Sequence, residues 1–277
     1  MIYQKNVTIA ITSCWRFDLL KQTIDTLWLS IDLSLYPKIM TEDSKDEQHI
    51  AKMKNANENW FLQWWKILYM RWSGKIDVLQ CHYYALQTLY NHIDTKYTFH
   101  CEDDQIFYKM DFDYIKLSYD ILENNKNIVI VTLRDLYKDY GIKKEWIMRS
   151  RYYDILTDEE IDFYWHTFIY GNKNSLFNLQ PWLRHTKIVK KAMFWYEETI
   201  NETFVSQRLS KLWYRWIYIK QWLYYNPDRR RNSTRSIKSM GFRKYIIMAL
   251  KNAIVYRVWL SIKYCKHLYF TIIKHGK

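Results

Sequence analysis

Glycine and proline are almost missing from this sequence, five and three among 277 residues. That scarcity excludes collagen-like and Gly/Pro-rich low-complexity character. It also leaves too few glycines for a GxGxxG fingerprint or a P-loop, whose backbones must approach a phosphate closely. Cysteine is sparse too. Cys14, Cys81, Cys101 and Cys265 lie far apart with no CxxC pair, so zinc-ribbon spacing is absent. Reduced thiols in a cytosolic compartment are expected. No uncharged apolar run reaches the length of about 18 residues that a membrane span needs. Lys251, Arg257 and Lys263 break even the apolar tail, and no transmembrane helix is predicted. The apolar run Val7–Cys14 ends at Arg16 and Asp18, too short for a signal-peptide core. It reads as a buried strand.

Acids are the other absence, and they are missing locally. From Arg208 to Lys277 there are 17 Lys/Arg and one acid, Asp228, a net +16, whereas residues 1–207 carry −3. A nearly neutral body therefore bears a basic C-terminal region, which suits phosphate-bearing partners such as anionic lipid or nucleic acid. What the chain has in quantity is apolar surface, at 49%, and aromatics, with 14 Trp and 25 Tyr. Global disorder is excluded and a sizeable core is available.

Strands and helices alternate along the first half. Val7–Ser13 is a strand, and Leu19, Leu20, Ile24 and Leu27 follow at helical spacing. Pro37–Met40 is a short strand ending in the acidic turn Thr41-Glu42-Asp43-Ser44. Residues 47–70 and Val78–His92 read as helices. Tyr97–Cys101 is a strand running into Glu102-Asp103-Asp104, Phe112–Leu122 a helix, and Ile128–Leu133 the clearest buried strand. This alternation predicts a mostly parallel sheet. Residues 135–195 are less regular, Glu197–Leu212 reads as a helix, and Tyr214–Ile219 as a strand. A basic loop over Pro227–Ser239 precedes one or two helices from Phe242 to His275.

The acids Glu102, Asp103 and Asp104 are the sharpest chemical feature. An isolated tripeptide of this kind is most often a solvated turn. Here it follows an apolar strand, at the carboxyl end of a parallel sheet, where ligands bind in open α/β folds. Adjacent carboxylates repel unless a cation neutralises them, and Mg²⁺ or Mn²⁺ takes oxygen ligands beside substrate phosphates. His82, His92, His100 and His166 form no HExxH pattern and read as structural.

Three segments together, Thr12-Ser13-Cys14-Trp15-Arg16, Glu42-Asp43-Ser44 and Glu102-Asp103-Asp104, resemble nucleotide-sugar glycosyltransferases of the GT-A fold, family-2-like members in particular. The resemblance implies an α/β, Rossmann-like, mostly parallel sheet flanked by helices over residues 1–236, with a basic helical extension at 237–277. It places Thr12, Arg16, Glu42 and Asp43 at the nucleotide, with Glu102 and Asp103 supporting the site. Asp104, the last acid of the "DxD" element, would be the ligand of Mn²⁺ or Mg²⁺. Downstream, Asn201-Glu202 with Ser206-Gln207-Arg208-Leu209 is similar to the family's general-base segment, implying Glu202 as base, with Glu198 one turn earlier as the alternative. Asn201 stands where the family has an acid and Trp213 where it usually has Gly. Asn232-Ser233-Thr234-Arg235 looks like the loop that closes over the diphosphate, which brings in Arg231 and Arg235. Asn226-Pro227 stands near the expected His. Trp165 and Trp182 fall where acceptor pockets are built.

The implied activity is transfer of a sugar from a UDP- or GDP-sugar to a hydroxyl of a glycan or lipid-linked acceptor, with inversion. The aromatic and basic tail suits a helix lying on an anionic membrane, giving a peripheral protein at the cytoplasmic face. Two rivals stand beside this reading. A nucleic-acid-binding protein explains the basic region but leaves the strand-terminal acids without a task. A metal-dependent nucleotidyltransferase also needs acids beside a nucleotide.

Overall fold

Two segments of apolar and small residues, Val7–Ser13 and Ile128–Thr132, are buried along their whole length. Strands covered on both faces require this, and the rest of the fold is built around them. The computed structural model describes residues 3–14, 16–44, 46–59, 61–70, 78–133, 156–163, 165–171, 181–193, 202–219 and 224–225, and only the backbone for some of these, including 78–82, 156–160 and 202–204. The elements are β1 (Val7–Ser13), α1 (Phe17–Ser30), β2 (Lys38–Glu42), α2 (Glu47–Asn59), β3 (Lys66–Tyr69), α3 (Val78–Asn91), β4 (Tyr97–Glu102) and β5 (Ile106–Phe107). They continue with α4 (Tyr114–Asn124), β6 (Ile128–Thr132), β7 (Leu156–Phe163), β8 (His166–Gly171), β9 (Trp182–His185), α5 (Thr186–Met193), α6 (Glu202–Lys211), β10 (Arg215–Ile219) and β11 (Tyr224–Tyr225).

Nine strands form one sheet in the order β3-β2-β1-β4-β9-β6-β10-β8-β7, and β5 pairs with β11 in a second, small sheet. Seven of the nine run the same way; β8 and β9 run against them. The period-two alternation of β1 feeds two cores. Ile9 and Ile11 pack with Leu20, Ile24 and Leu27 of α1, Met53 of α2, and Tyr114 and Ile115 of α4. Ala10, facing the other way, joins Leu86, Leu89 and Tyr90 of α3, Val189 of α5, and Val205 and Leu209 of α6. The molecule is thus layered helix, sheet, helix. Among the described residues no helix is long and apolar enough to cross a membrane. The chain divides into units Met1–Asn226 and Pro227–Lys277, and every described residue lies in the first.

Several elements differ from the sequence reading. The helix expected over 47–70 ends at Asn59, and its last residues form β3 at the edge of the sheet. The stretch expected to be irregular supplies β7, β8, β9 and α5. With so few glycines, left-handed positions fall to tryptophan: Trp64, Trp165 and Trp213 have φ of 73°, 72° and 63°. At Trp213 the cause is visible. The Trp213 N–H donates to Ser210 O at 2.9 Å and the Tyr214 N–H to Leu209 O at 3.1 Å. This is a Schellman closure of α6, whose C′ residue must be left-handed.

Trp182, expected at the acceptor, is 1% exposed and belongs to the core beside α3. Its ring and that of Tyr90 flank the buried Arg184 guanidinium, at 5.1 and 5.3 Å from the ring centroids. Burial lowers the Arg184 pKa. The acceptor role is therefore corrected to a packing role, because a side chain enclosed by the sheet and α3 cannot present a face to a ligand.

Candidate functional site

The site is assembled by register. In the parallel ladder Ser13 of β1 lies opposite Glu42 of β2, and Thr12 lies opposite Glu102 of β4. Parallel partners share a face, so Ser13 and Glu42 sit side by side at the carboxyl edge, and Asp103, one residue beyond Glu102, falls on their side. Two backbone bonds close the edge. The Asp43 N–H donates to Ser13 O and the Asp103 N–H to Thr12 O, each at 3.2 Å. The acidic turn is also tied to α1, since the Gln105 N–H donates to Thr23 Oγ1 at 3.0 Å and the Phe107 N–H to Thr26 Oγ1 at 3.1 Å.

Arg16, just before α1, bridges two of the acids. Its Nη2 pairs with Asp103 Oδ1, and its Nη1 donates to Asp104 Oδ2 at 2.7 Å. Asp103 is fully buried. Its Oδ2 accepts from the Cys14 N–H at 2.9 Å and faces Ser13 Oγ at 3.1 Å. Burial pushes the Asp103 pKa up to about 7, against the opposing pull of Arg16 and the Cys14 amide. Arg16 itself is held above its ordinary value: burial lowers it, but Asp103 and Asp104 outweigh that.

Ser13 Oγ also lies 2.8 Å from Glu42 Oε2. One hydroxyl proton serves one acceptor at a time, so Ser13 donates either to Glu42 or to Asp103. Glu42 is 1% exposed, with Oε1 accepting from the Ser44 N–H at 2.9 Å and His49 Nε2 3.2 Å from Oε2. It is an internal strut, whereas Asp43 beside it is less buried, and burial raises the Asp43 pKa. Thr12 Oγ1 lies 3.3 Å from Nε2 of the buried His100. The Cys14 thiol is pushed up, first by burial and then by Asp43, so it stays protonated and unreactive.

Asp104 is 3% exposed, and its Oδ1, like Asp43 Oδ1, has no hydrogen-bond partner. A buried carboxylate oxygen without a donor is costly, and a hard divalent cation is the ligand that chemistry suits. Among the described residues no three His, Cys, Asp or Glu side chains are grouped to hold a metal by themselves. Mg²⁺-type ions, however, are commonly held by one or two carboxylates plus substrate phosphate, and Asp104 fits that pattern.

The structure thus brings together Thr12, Arg16, Glu42, Asp43, Glu102, Asp103 and Asp104. Ser13 and His49 were missed, while His100 is buried in β4, in keeping with its structural reading. Ser13 was findable, because it is the one polar residue on the Ile9-Ile11-Ser13 stripe. Glu202 is the first residue of α6, at the end of that helix away from its tight turn into β10, and its side chain is not described. Trp165 stands fully exposed between β7 and β8. Its neighbour His166 packs tilted against Phe112 with centroids 4.2 Å apart, in the segment that follows the acidic turn. Glu198, Arg231, Arg235 and the tail at 237–277 lie outside the described residues.

No family model and no curated protein matches this chain. Solved structures do. The mannosyltransferase PcManGT from Pyrobaculum calidifontis, in complex with GDP-Man and Mn²⁺, superposes with TM-score 0.56 at 11% identity, over 90% of this chain and 65% of that one. TarS 1–349 from S. aureus superposes with TM-score 0.50 at 9% identity, over 80% of this chain and 60% of that one. The chain spans less than two thirds of either length. At such identities the likeness fixes the fold, which is the GT-A-type arrangement that the sequence motifs implied.

Proposed function

We propose that this GT-A-type chain is a metal-dependent glycosyltransferase. It would move a sugar from a nucleoside-diphosphate sugar to a hydroxyl of a glycan or lipid-linked acceptor, with inversion. One observation carries the reading: the buried, partnerless Oδ1 of Asp104, set beside the Arg16 guanidinium at the carboxyl edge of β1 and β4. A cation held there faces a positively charged donor of planar hydrogen bonds, the combination that grips a diphosphate.

Asp104 would hold Mn²⁺ or Mg²⁺, with Glu102 supporting the site. When bound, the ion supplies Lewis-acid stabilisation of the departing diphosphate. Thr12, Arg16 and Asp43 would contact the nucleotide, and Glu42 and Asp103 would hold these residues in place. Glu202, or failing that Glu198, would take the proton from the acceptor hydroxyl. Arg231 and Arg235 would close on the phosphates, and Trp165 would stack on an acceptor sugar ring. The tail from 237 onward would hold the protein at an anionic bilayer on its cytoplasmic face, where a lipid-linked acceptor is presented.

Thermal denaturation with UDP- and GDP-sugars, with and without Mn²⁺, tests the reading. A true donor raises Tm by mass action only with metal present. Asp104→Asn should abolish that shift and all transfer while leaving the unliganded Tm within a few degrees of wild type. Metal-stimulated transfer by Asp104→Asn would refute the assignment. Salt-sensitive oligonucleotide binding without any sugar-nucleotide effect would instead favour the nucleic-acid reading.

A further inference from the structure

The guanidinium of Arg16 sits where a metal would also have to bind. It engages Asp104 Oδ2 at 2.7 Å and Asp103 Oδ1 together, in a pocket where both carboxylates are buried. Oδ1 and Oδ2 of one carboxylate are about 2.2 Å apart by covalent geometry. A divalent ion on Asp104 Oδ1 would therefore lie within a few Å of the Arg16 charge, with little water between to screen it. Two cations at that separation in a partly desolvated site repel strongly.

We infer that Arg16 is the resident counter-cation of the acidic turn, competing with the metal for Asp104, and that a diphosphate relieves the competition by drawing the guanidinium onto its own oxygens. This deepens the metal-dependent glycosyltransferase reading and rests on it. Metal alone binds weakly, because it must displace or tolerate Arg16. Metal with nucleoside diphosphate binds well, because the added negative charge accommodates both cations. The acids are thereby kept paired between turnovers, and the ion and the donor enter as a coupled pair. Arg16 acts here as a positioning residue on the metal site.

The test is Mn²⁺ binding followed by the loss of the free-ion electron paramagnetic resonance signal, with and without UDP or GDP and with no acceptor present. In wild type, nucleotide should tighten Mn²⁺ by about tenfold or more, within the usual range of coupling between two ligands. Arg16→Gln, close in length and neutral, should bind Mn²⁺ alone about tenfold tighter than wild type, and nucleotide should then add little. Arg16→Lys, which keeps the charge, should bind Mn²⁺ alone as weakly as wild type. The double variant Arg16→Gln/Asp104→Asn should lose the gain.

Unchanged or weaker Mn²⁺ affinity in Arg16→Gln would overturn the proposal. So would an equal gain in Arg16→Lys, since charge would then not be the cause. Tighter metal in Arg16→Gln with no nucleotide binding to any form would uphold the competition and overturn the glycosyltransferase reading instead.

Discussion

The fold moves the ionisation of Asp103 into the neutral range, and this makes stability depend on pH in a definite direction. Its folded pKa of about 7 stands above the unfolded value near 3.8. The native chain therefore holds a proton that the unfolded chain releases. This favours the fold below about pH 4, and the advantage fades as pH rises toward 7. In metal-free buffer, Tm should fall from pH 5 to pH 8 more steeply for wild type than for Asp103→Asn, which keeps the shape and cannot ionise. Equal slopes would assign the titration elsewhere.

The general base is the other residue-scale claim. Glu202→Gln should lower turnover by about 10²-fold or more with unchanged donor affinity. A comparable loss in Glu198→Gln instead would move the base one helical turn. At this scale the sequence was legible where charge clustered after strands, as at Asp103 and Asp104, and a polar residue closing an apolar stripe, as Ser13 does, was a signal within reach. It was not legible where a His serves from a helix, as His49 does.

At the scale of elements, legibility followed the period of the side chains. β6 is an unbroken apolar run up to Thr132, and β1 and β4 are apolar segments interrupted only by Thr8, Thr12, Thr98 and His100; all three stand close to where these runs predict. β3 was lost inside a helical reading, because neither Gly nor Pro marks the end of α2 at Asn59. β7 (LTDEEIDF) is acidic because it is the edge strand, where charge discourages pairing with other chains. β9 carries Arg184 in mid-sheet, which breaks the apolar signature of a central strand.

The hairpin of β7 and β8 offers the element-scale prediction. Trp165 is fully exposed and left-handed, a conformation costing a non-glycine residue about 1–2 kcal/mol. Trp165→Gly removes that strain but frees the unfolded chain, so a gain of about 0.5–1 kcal/mol is expected, read as a small rise in Tm. If the ring stacks on acceptor sugar, the same variant raises the acceptor KM while donor binding stays constant. A stabilised variant with unchanged acceptor kinetics would show that the ring has another use.

For the whole molecule, the partition of charge remains the organising fact. The body through residue 207 is close to neutral, and the positive excess lies beyond it. Residues 242–277 hold eight Lys/Arg and no acid. Each basic residue near an anionic surface contributes about 1 kcal/mol. Removing residues from Phe242 onward should therefore release the protein from phosphatidylserine-containing vesicles in a sedimentation assay while the donor-induced Tm shift persists. Co-sedimentation of the truncated form, or none by the full chain, would place the partner of the basic region elsewhere.

The position of β9 bears on how this chain is made. β4 and β6 are successive strands of the main sheet in sequence yet do not pair with each other, because Trp182–His185 is threaded between them. As the polypeptide leaves the ribosome, the facing edges of β4 and β6 wait for some fifty further residues before either is paired. Until then each offers unpaired N–H and C=O groups to any neighbouring strand, and pairings this distant in sequence form slowly. A nascent chain stopped near Leu133 should accordingly aggregate or bind a chaperone, and one extended beyond Met193 should not. Synthesis past β9 would then be the step that commits the chain to its native sheet.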